Sequence, residues 1–202
     1  MTRVLRFRRD TFKSVQLTDT HWTNFDERDR RTRQVIETVL DCEQPDLVFF
    51  TGDMLGGADC KDAERGLQQV VQPIEARGIA WTAVMGNHDD EGSLRREDLW
   101  RVMESCSHFV GRRGPRRVTG VGNYVLPIMN RRGERPTAFL WGIDSNSYAT
   151  TDIGGWGWIT RDQIAWYVRT AKQVRQRWNI APQEMRSYPC ARLLPYPLAR
   201  VR

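Results

Sequence analysis

Three short polar clusters hold residue types that bind metal and phosphate: Asp19-Thr20-His21, Gly52-Asp53 and Gly86-Asn87-His88-Asp89. Carboxylate oxygen and imidazole nitrogen are the donors that suit Fe, Mn or Zn. An aspartate with two free oxygens can bridge two ions. Two ions about 3.5–4 Å apart can clamp a phosphoryl group and turn a bound water into hydroxide. Gly52 and Gly86 let the backbone turn sharply close to such a centre. Taken singly, each cluster reads as an ordinary cap or turn. Taken together, in this order and each directly after an apolar run, they point to a metal site.

The elements that must position them follow from the pattern. Ser14 to Thr18, Asp46 to Thr51 and Ile79 to Met85 read as strands, the second a continuous run suited to burial on both faces. Between them, Asp29 to Leu40 carries Val35, Ile36, Val39 and Leu40 at helical spacing, and Ala63 to Arg77 forms a second helical pattern stopped by Gly78. Ser93 is expected to cap a third helix reaching about Cys106. Alternating strand and helix is the grammar of an α/β fold. In open α/β sheets, ligands bind beyond the carboxyl ends of the strands, which is where all three clusters fall. The pattern then changes to a hairpin, Gly122 to Ile128 and Thr137 to Ile143 around a turn at Asn130 to Glu134. A loop rich in Gly and Trp follows, and Thr160-Arg161-Asp162-Gln163 supplies a capping box for a helix towards Trp178.

The three clusters and their spacing resemble the first signature blocks of the calcineurin-like metallophosphoesterases. The stretch Gly120-Val121-Gly122-Asn123-Tyr124, and Trp156-x-Trp158-Ile159 ahead of Gln163 and Trp166, are similar to the purple-acid-phosphatase-like branch. The resemblance covers about residues 12–180. It implies a two-sheet sandwich flanked by helices, hydrolysis of phosphate esters, and two ions of Fe, Mn or Zn. It also implies roles. Asp19 and His21 would bind the first metal, Asp53 would bridge both, and Asn87 would bind the second. His88 would contact the phosphate and help protonate the leaving group, and Asp89 would orient His88. Purple acid phosphatases take their colour from a tyrosine shortly after the Gly-Asp. Here Met54, Leu55, Gly56 and Gly57 follow, so no iron–tyrosinate band is expected.

The family completes its site with later histidines, whereas this chain has three, His21, His88 and His108, and none further on. His108 lies too early to substitute and reads as a structural or surface histidine. The second metal site is therefore expected to be incomplete, and activity reduced or absent. The stretch 181–202 is rich in Pro and Arg, shows no usable periodicity, and reads as an aberrant tail after a domain at 12–180. One choice of codons for Leu193 to Arg202, read a base later, spells Phe-Phe-His-Ile-Pro-Leu-Pro-Glu-Phe, close to the expected family segment. Truncation or a frameshift near 181–192 is the expectation, with exposed core faces and poor solubility as its consequence.

The 202 residues suffice for one domain with a substantial core. No apolar run is long enough to span a membrane, and the basic start lacks a signal-like apolar segment, so a cytoplasmic protein is expected. The scattered Cys42, Cys60, Cys106 and Cys190 read as reduced thiols. The net charge of +6 is concentrated in Arg112, Arg113, Arg116, Arg117, Arg131, Arg132 and Arg135. A solvated arginine surface is the plain reading of these residues, and nucleic-acid binding the alternative. A non-catalytic metal-binding remnant is the other alternative to a hydrolase. The substrate and the oligomeric state are not readable.

Overall fold

A computed structural model describes residues 4–181 and a strand at 190–193. The three apolar runs form one parallel sheet in the order β1 (Ser14–Leu17), β2 (Leu47–Thr51), β3 (Ala80–Val84), with Leu47 opposite both Ser14 and Ala80. Every residue of β2 and β3 is buried, which explains why these runs are apolar without alternation. Parallel neighbours need long crossovers, supplied by α1 (Glu27–Glu43) and α2 (Ala63–Ala76). Asp26 starts α1 in a capping box with Asp29, and Ile36 and Leu40 carry its buried side. Leu67, Val70, Val71 and Ile74 do the same for α2, and the chain turns away at Gly78, φ 63°.

α3 (Arg96–Ser105) begins later than expected. Ser93 does not cap it. Its Oγ instead accepts a 3.3 Å hydrogen bond from Ala63 N–H at the start of α2, and the N-cap position of α3 is Arg95. A serine in a loop serves whichever exposed helix end lies nearest in space, and sequence proximity does not decide which.

The second sheet pairs β4 (Tyr124–Met129) antiparallel with β5 (Pro136–Gly142), and β6 (Cys190–Leu193) parallel with β5. It packs on the first sheet. Tyr124 OH donates to Ala83 O at 2.8 Å and lies 2.7 Å from Thr82 Oγ1, while Leu126, Ile128 and Leu140 share a core with Val48, Phe50 and Trp81. The outer face carries α4 (Arg161–Arg177), where Trp166 and Tyr167 meet Trp141 at ring separations of 6.0 and 4.6 Å. Gln163 accepts from Thr160 N–H at 2.8 Å, the returning half of the expected capping box, and donates to Asn123 Oδ1 and Asp144 O. The architecture is the expected α/β sandwich of two sheets flanked by helices.

The tail offered no strand pattern, yet β6 forms within it, with Cys190 opposite Phe139. An open edge of β5 supplies unpaired N–H and C=O groups to any extended segment, so pairing here does not require alternating side chains. The expected frame change near 181–192, and the re-read segment at 193–202, lie outside the described residues except at 190–193. No helix among the described residues is long and apolar enough to cross a membrane. Cys42, Cys60 and Cys106 are free thiols, and burial pushes Cys60 and Cys106 up to about 11.

Candidate metal centre

The loops leaving β1 and β2 run side by side. Asp19 N–H donates to Gly52 O at 3.1 Å, His21 N–H to Asp53 O at 3.0 Å and Trp22 N–H to Met54 O at 2.9 Å. To follow this path the backbone takes left-handed conformations at Asp19 (φ 54°), His21 (φ 43°) and Asp53 (φ 50°), beside Gly52 at φ 108°. For a side chain other than glycine that conformation costs about 1–2 kcal/mol per residue. Strain of this kind persists where the surrounding structure over-determines it.

The result is convergence. Ligand atoms of Asp19, His21 and Asp53 all lie within 4.8 Å of one another, with Asp53 buried and the other two exposed. His21 Nε2 is 3.8 Å from Asp19 Oδ1. No Lys or Arg among the described residues pairs with Asp19 or Asp53. Two carboxylates and an imidazole brought together without a neutralising side chain fit a divalent cation, and two oxygens with one nitrogen suit Mn, Fe or Zn.

The loop after β3 completes the cluster. His88 N–H donates to Asp53 Oδ1 at 3.0 Å, and the His88 ring stands 5.2 Å from that of His21. His88 Nδ1 lies 2.6 Å from Glu91 Oε2. Glu91 also accepts from Tyr148 OH, which in turn accepts from Asn87 Nδ2 at 2.7 Å. Buried Asn87 thus has its amide nitrogen engaged by Tyr148. The hydrogen bond to Glu91 raises His88 above the usual histidine range. Burial pushes Glu91 upward, but its bonds to Tyr148 and His88 outweigh this and hold it below the usual carboxylate range.

Asp89 was expected to orient His88, and the structure corrects this. Its buried carboxylate accepts from three backbone N–H groups, Gly86 at 2.8 Å, Leu55 at 2.9 Å and Asp53 at 3.1 Å. It ties the β2 loop to the β3 loop and so fixes Asp53. Burial pushes it up to about 6, against the lowering effect of the Leu55 and Gly86 N–H groups. The carboxylate on the His88 imidazole belongs to Glu91. Its place three residues after His88 in the same loop is the local signal that could have found it. Tyr148 lies in the polar loop after β5, from Asp144 to Tyr148. The strand-end rule applied to the second sheet would have marked that loop too.

His108 is structural, as expected. It lies beside β3 well before the strand's carboxyl end, where Trp81 N–H donates to His108 O at 3.0 Å, and its Nδ1 is 3.1 Å from Glu75 Oε2. His108 therefore stands outside the Asp19, His21 and Asp53 cluster. Arg96, unnoticed in the sequence, is buried and locks the back of the β3 loop. It donates to Gly86 O at 2.6 Å, Ser147 Oγ at 2.8 Å and Asp144 Oδ1 at 3.0 Å, and its Nε is 3.3 Å from Asp90 Oδ1.

Comparison with known proteins finds similar chains in yeast and in a plant. The chain is 36% identical over 173 residues to the phosphatase DCR2 of Saccharomyces cerevisiae, covering 75% of this chain and 30% of that protein. It is 28% identical over 194 residues to the Arabidopsis thaliana protein named probable inactive purple acid phosphatase 29, covering 85% of this chain and 50% of that one. A second Arabidopsis protein, probable inactive purple acid phosphatase 28, is 30% identical over 210 residues, covering 88% and 53%. The chain therefore spans between 30% and 53% of the length of these relatives. The family model for calcineurin-like phosphoesterases matches residues 12–191, nearly all of the sequence and every cluster described above, and the chain belongs to that family.

Proposed function

We propose that this chain is a metal-dependent phosphoester hydrolase domain in which Asp19, His21 and Asp53 hold one ion, and Asp53 and Asn87 contribute to a second. The observation that carries the reading is the convergence of three strained side chains within 4.8 Å at the carboxyl ends of β1 and β2. Bound ions of this kind polarise a phosphoryl oxygen and supply hydroxide at neutral pH. The chain's own residues do the rest. Asp53 would contribute to holding both ions, and it accepts the His88 N–H. His88 donates a proton to the departing alkoxide, with its ring held through Nδ1 by Glu91. Asp89 and Arg96 keep the two loops in register from behind.

An aryl phosphate assay with added Mn²⁺, Fe²⁺ or Zn²⁺ tests the proposal. The expected result is slow turnover, because the sequence holds no further histidine for the second ion, and its loss in His88→Ala and Asp53→Ala. Metal binding without any turnover would instead support a non-catalytic remnant.

Two further outcomes follow. Glu91→Gln is expected to slow hydrolysis of an alkyl phosphate by about tenfold or more, since a poor leaving group needs the proton, and to spare 2,4-dinitrophenyl phosphate. An equal loss on both substrates would make Glu91 merely structural. Iron-loaded protein is expected to show no visible tyrosinate band. Tyr148, the phenol in contact with this loop among the described residues, is held by Asn87 Nδ2 and by the Glu91 carboxylate, to which its OH donates. A visible absorption band that disappears in Tyr148→Phe would contradict this.

A further inference from the structure

The arginine-rich stretch takes no part in the metal centre, yet it has a defined place in the fold. It lies across the start of α3 and borders a cavity of about 640 Å³, whose walls carry Arg95, Arg96, Arg113 and Arg116 against two carboxylates, Asp90 and Glu97. Arg96 is fully engaged in the buried network with Asp90 and Asp144. Arg113 reaches Glu97 only at 4.0 Å. Arg95 and Arg116 make no ion pair among the described residues. Three guanidinium groups with little or no compensation therefore face one concave space.

Like charges gathered around a cavity repel one another unless an anion is present. The guanidinium fork matches the oxygens of a phosphate in two-point hydrogen bonds. The cavity volume lies within the range of sites for small organic ligands, about 300–1,000 Å³, and exceeds what a bare phosphate ion fills. Its floor is Arg96, which holds Gly86 O and Asp90 at the two ends of the loop carrying Asn87 and His88.

We propose that this cavity binds the phosphate group of a small phosphorylated molecule through Arg95, Arg113 and Arg116. The group belongs either to the far end of a substrate carrying two phosphates or to a separate ligand. The site does not depend on the metal centre, so loss of the hydrolase reading would leave it standing.

The test uses the 202-residue chain freed of metal by a chelator and titrated calorimetrically with inorganic phosphate. Saturable binding is expected, weakened at least tenfold by R95Q/R116Q and unchanged by D19N. Absence of saturable binding to the parent chain, equal binding by R95Q/R116Q, or its loss in D19N would each overturn the proposal. Both substituted arginines are exposed, and circular dichroism checks the fold; should the double variant unfold, R116E alone gives the same reading. A linear alkane bisphosphate then separates the sources in metal-loaded protein. A gain of tenfold or more over inorganic phosphate that requires Asp53 assigns a substrate end, and no gain assigns a separate ligand. Tighter binding of a single-stranded oligonucleotide that survives R95Q/R116Q would reject the small-molecule site in favour of an extended polyanion surface.

Discussion

Asp53→Asn is expected to stabilise the metal-free protein and at the same time remove most of its affinity for divalent metal. The two effects share one cause. Asp53 and Asp19 place carboxylates within 4.8 Å of each other, and no Lys or Arg among the described residues pairs with either. At that separation, repulsion is about 1 kcal/mol at the dielectric of bulk water and about 3 kcal/mol at the effective dielectric near a protein surface, and the neutral amide removes it. The Asn oxygen can still accept the His88 N–H that Asp53 Oδ1 accepts at 3.0 Å, so the loop geometry survives. Metal affinity depends on the charge itself. Without it, an ion would be left with two exposed donors, Asp19 and His21, both competing with water. A loss on the order of 100-fold in affinity, about 2.7 kcal/mol, is expected. Thermal unfolding with and without Mn²⁺ reads both terms. The variant should have the higher Tm when metal-free and should lose the metal-induced rise of the parent chain. A variant that is destabilised when metal-free and keeps that rise would remove Asp53 from the ligand set.

Gly86→Ala is expected to be among the most damaging substitutions in the molecule. A Cβ at this position would overlap Asp53 Oδ1 and stand 2.5 Å from Asp53 N. Gly86 does not occupy the left-handed region, so the requirement is for space rather than for backbone freedom. Relief by movement is blocked on three sides. Gly86 N–H and Asp53 N–H both donate to Asp89 Oδ2, at 2.8 and 3.1 Å, and Gly86 O accepts from Arg96 at 2.6 Å. Overpacking of a rigid site costs about 1–3 kcal/mol. Displacing Asp53 would also disturb the metal cluster. Denaturant unfolding should show the loss, and metal retention should fall with it. Unchanged values for both would mean that the β2 and β3 loops are looser than this hydrogen-bond network implies.

The first sheet was legible because its strands are continuous apolar runs and its helices carry clear periodicity. Gly78 then marks the end of α2 by local chemistry, whereas the Asp26–Asp29 cap that starts α1 was not read. The cluster of Asp19, His21 and Asp53 was legible because each residue closely follows a strand, and parallel pairing brings those ends together. What stayed hidden depends on contacts between distant residues. Asp89 is spoken for by backbone N–H groups 34 and 36 residues away, which leaves His88 to Glu91. Tyr148 reaches Glu91 across 57 residues, and Arg96 reaches Asp144 across 48. Ser93 was assigned to the wrong helix because its partner, Ala63, is near only in three dimensions. β6 draws on the free edge of β5 and so leaves no trace in the side-chain pattern of the tail. The arginines of 112–117 read as a solvated surface until the fold set two of them around a cavity with Arg95.

Asp19, His21 and Asp53 together are expected to hold one metal ion. Pulsed electron paramagnetic resonance on Mn²⁺-loaded protein, at one ion per chain, tests it most directly. The expected result is a tightly held ion with nitrogen coupling from a single imidazole, lost in His21→Ala and retained in His108→Ala. A chain that retains no ion, or an ion whose nitrogen coupling is unaffected by His21→Ala, would contradict it.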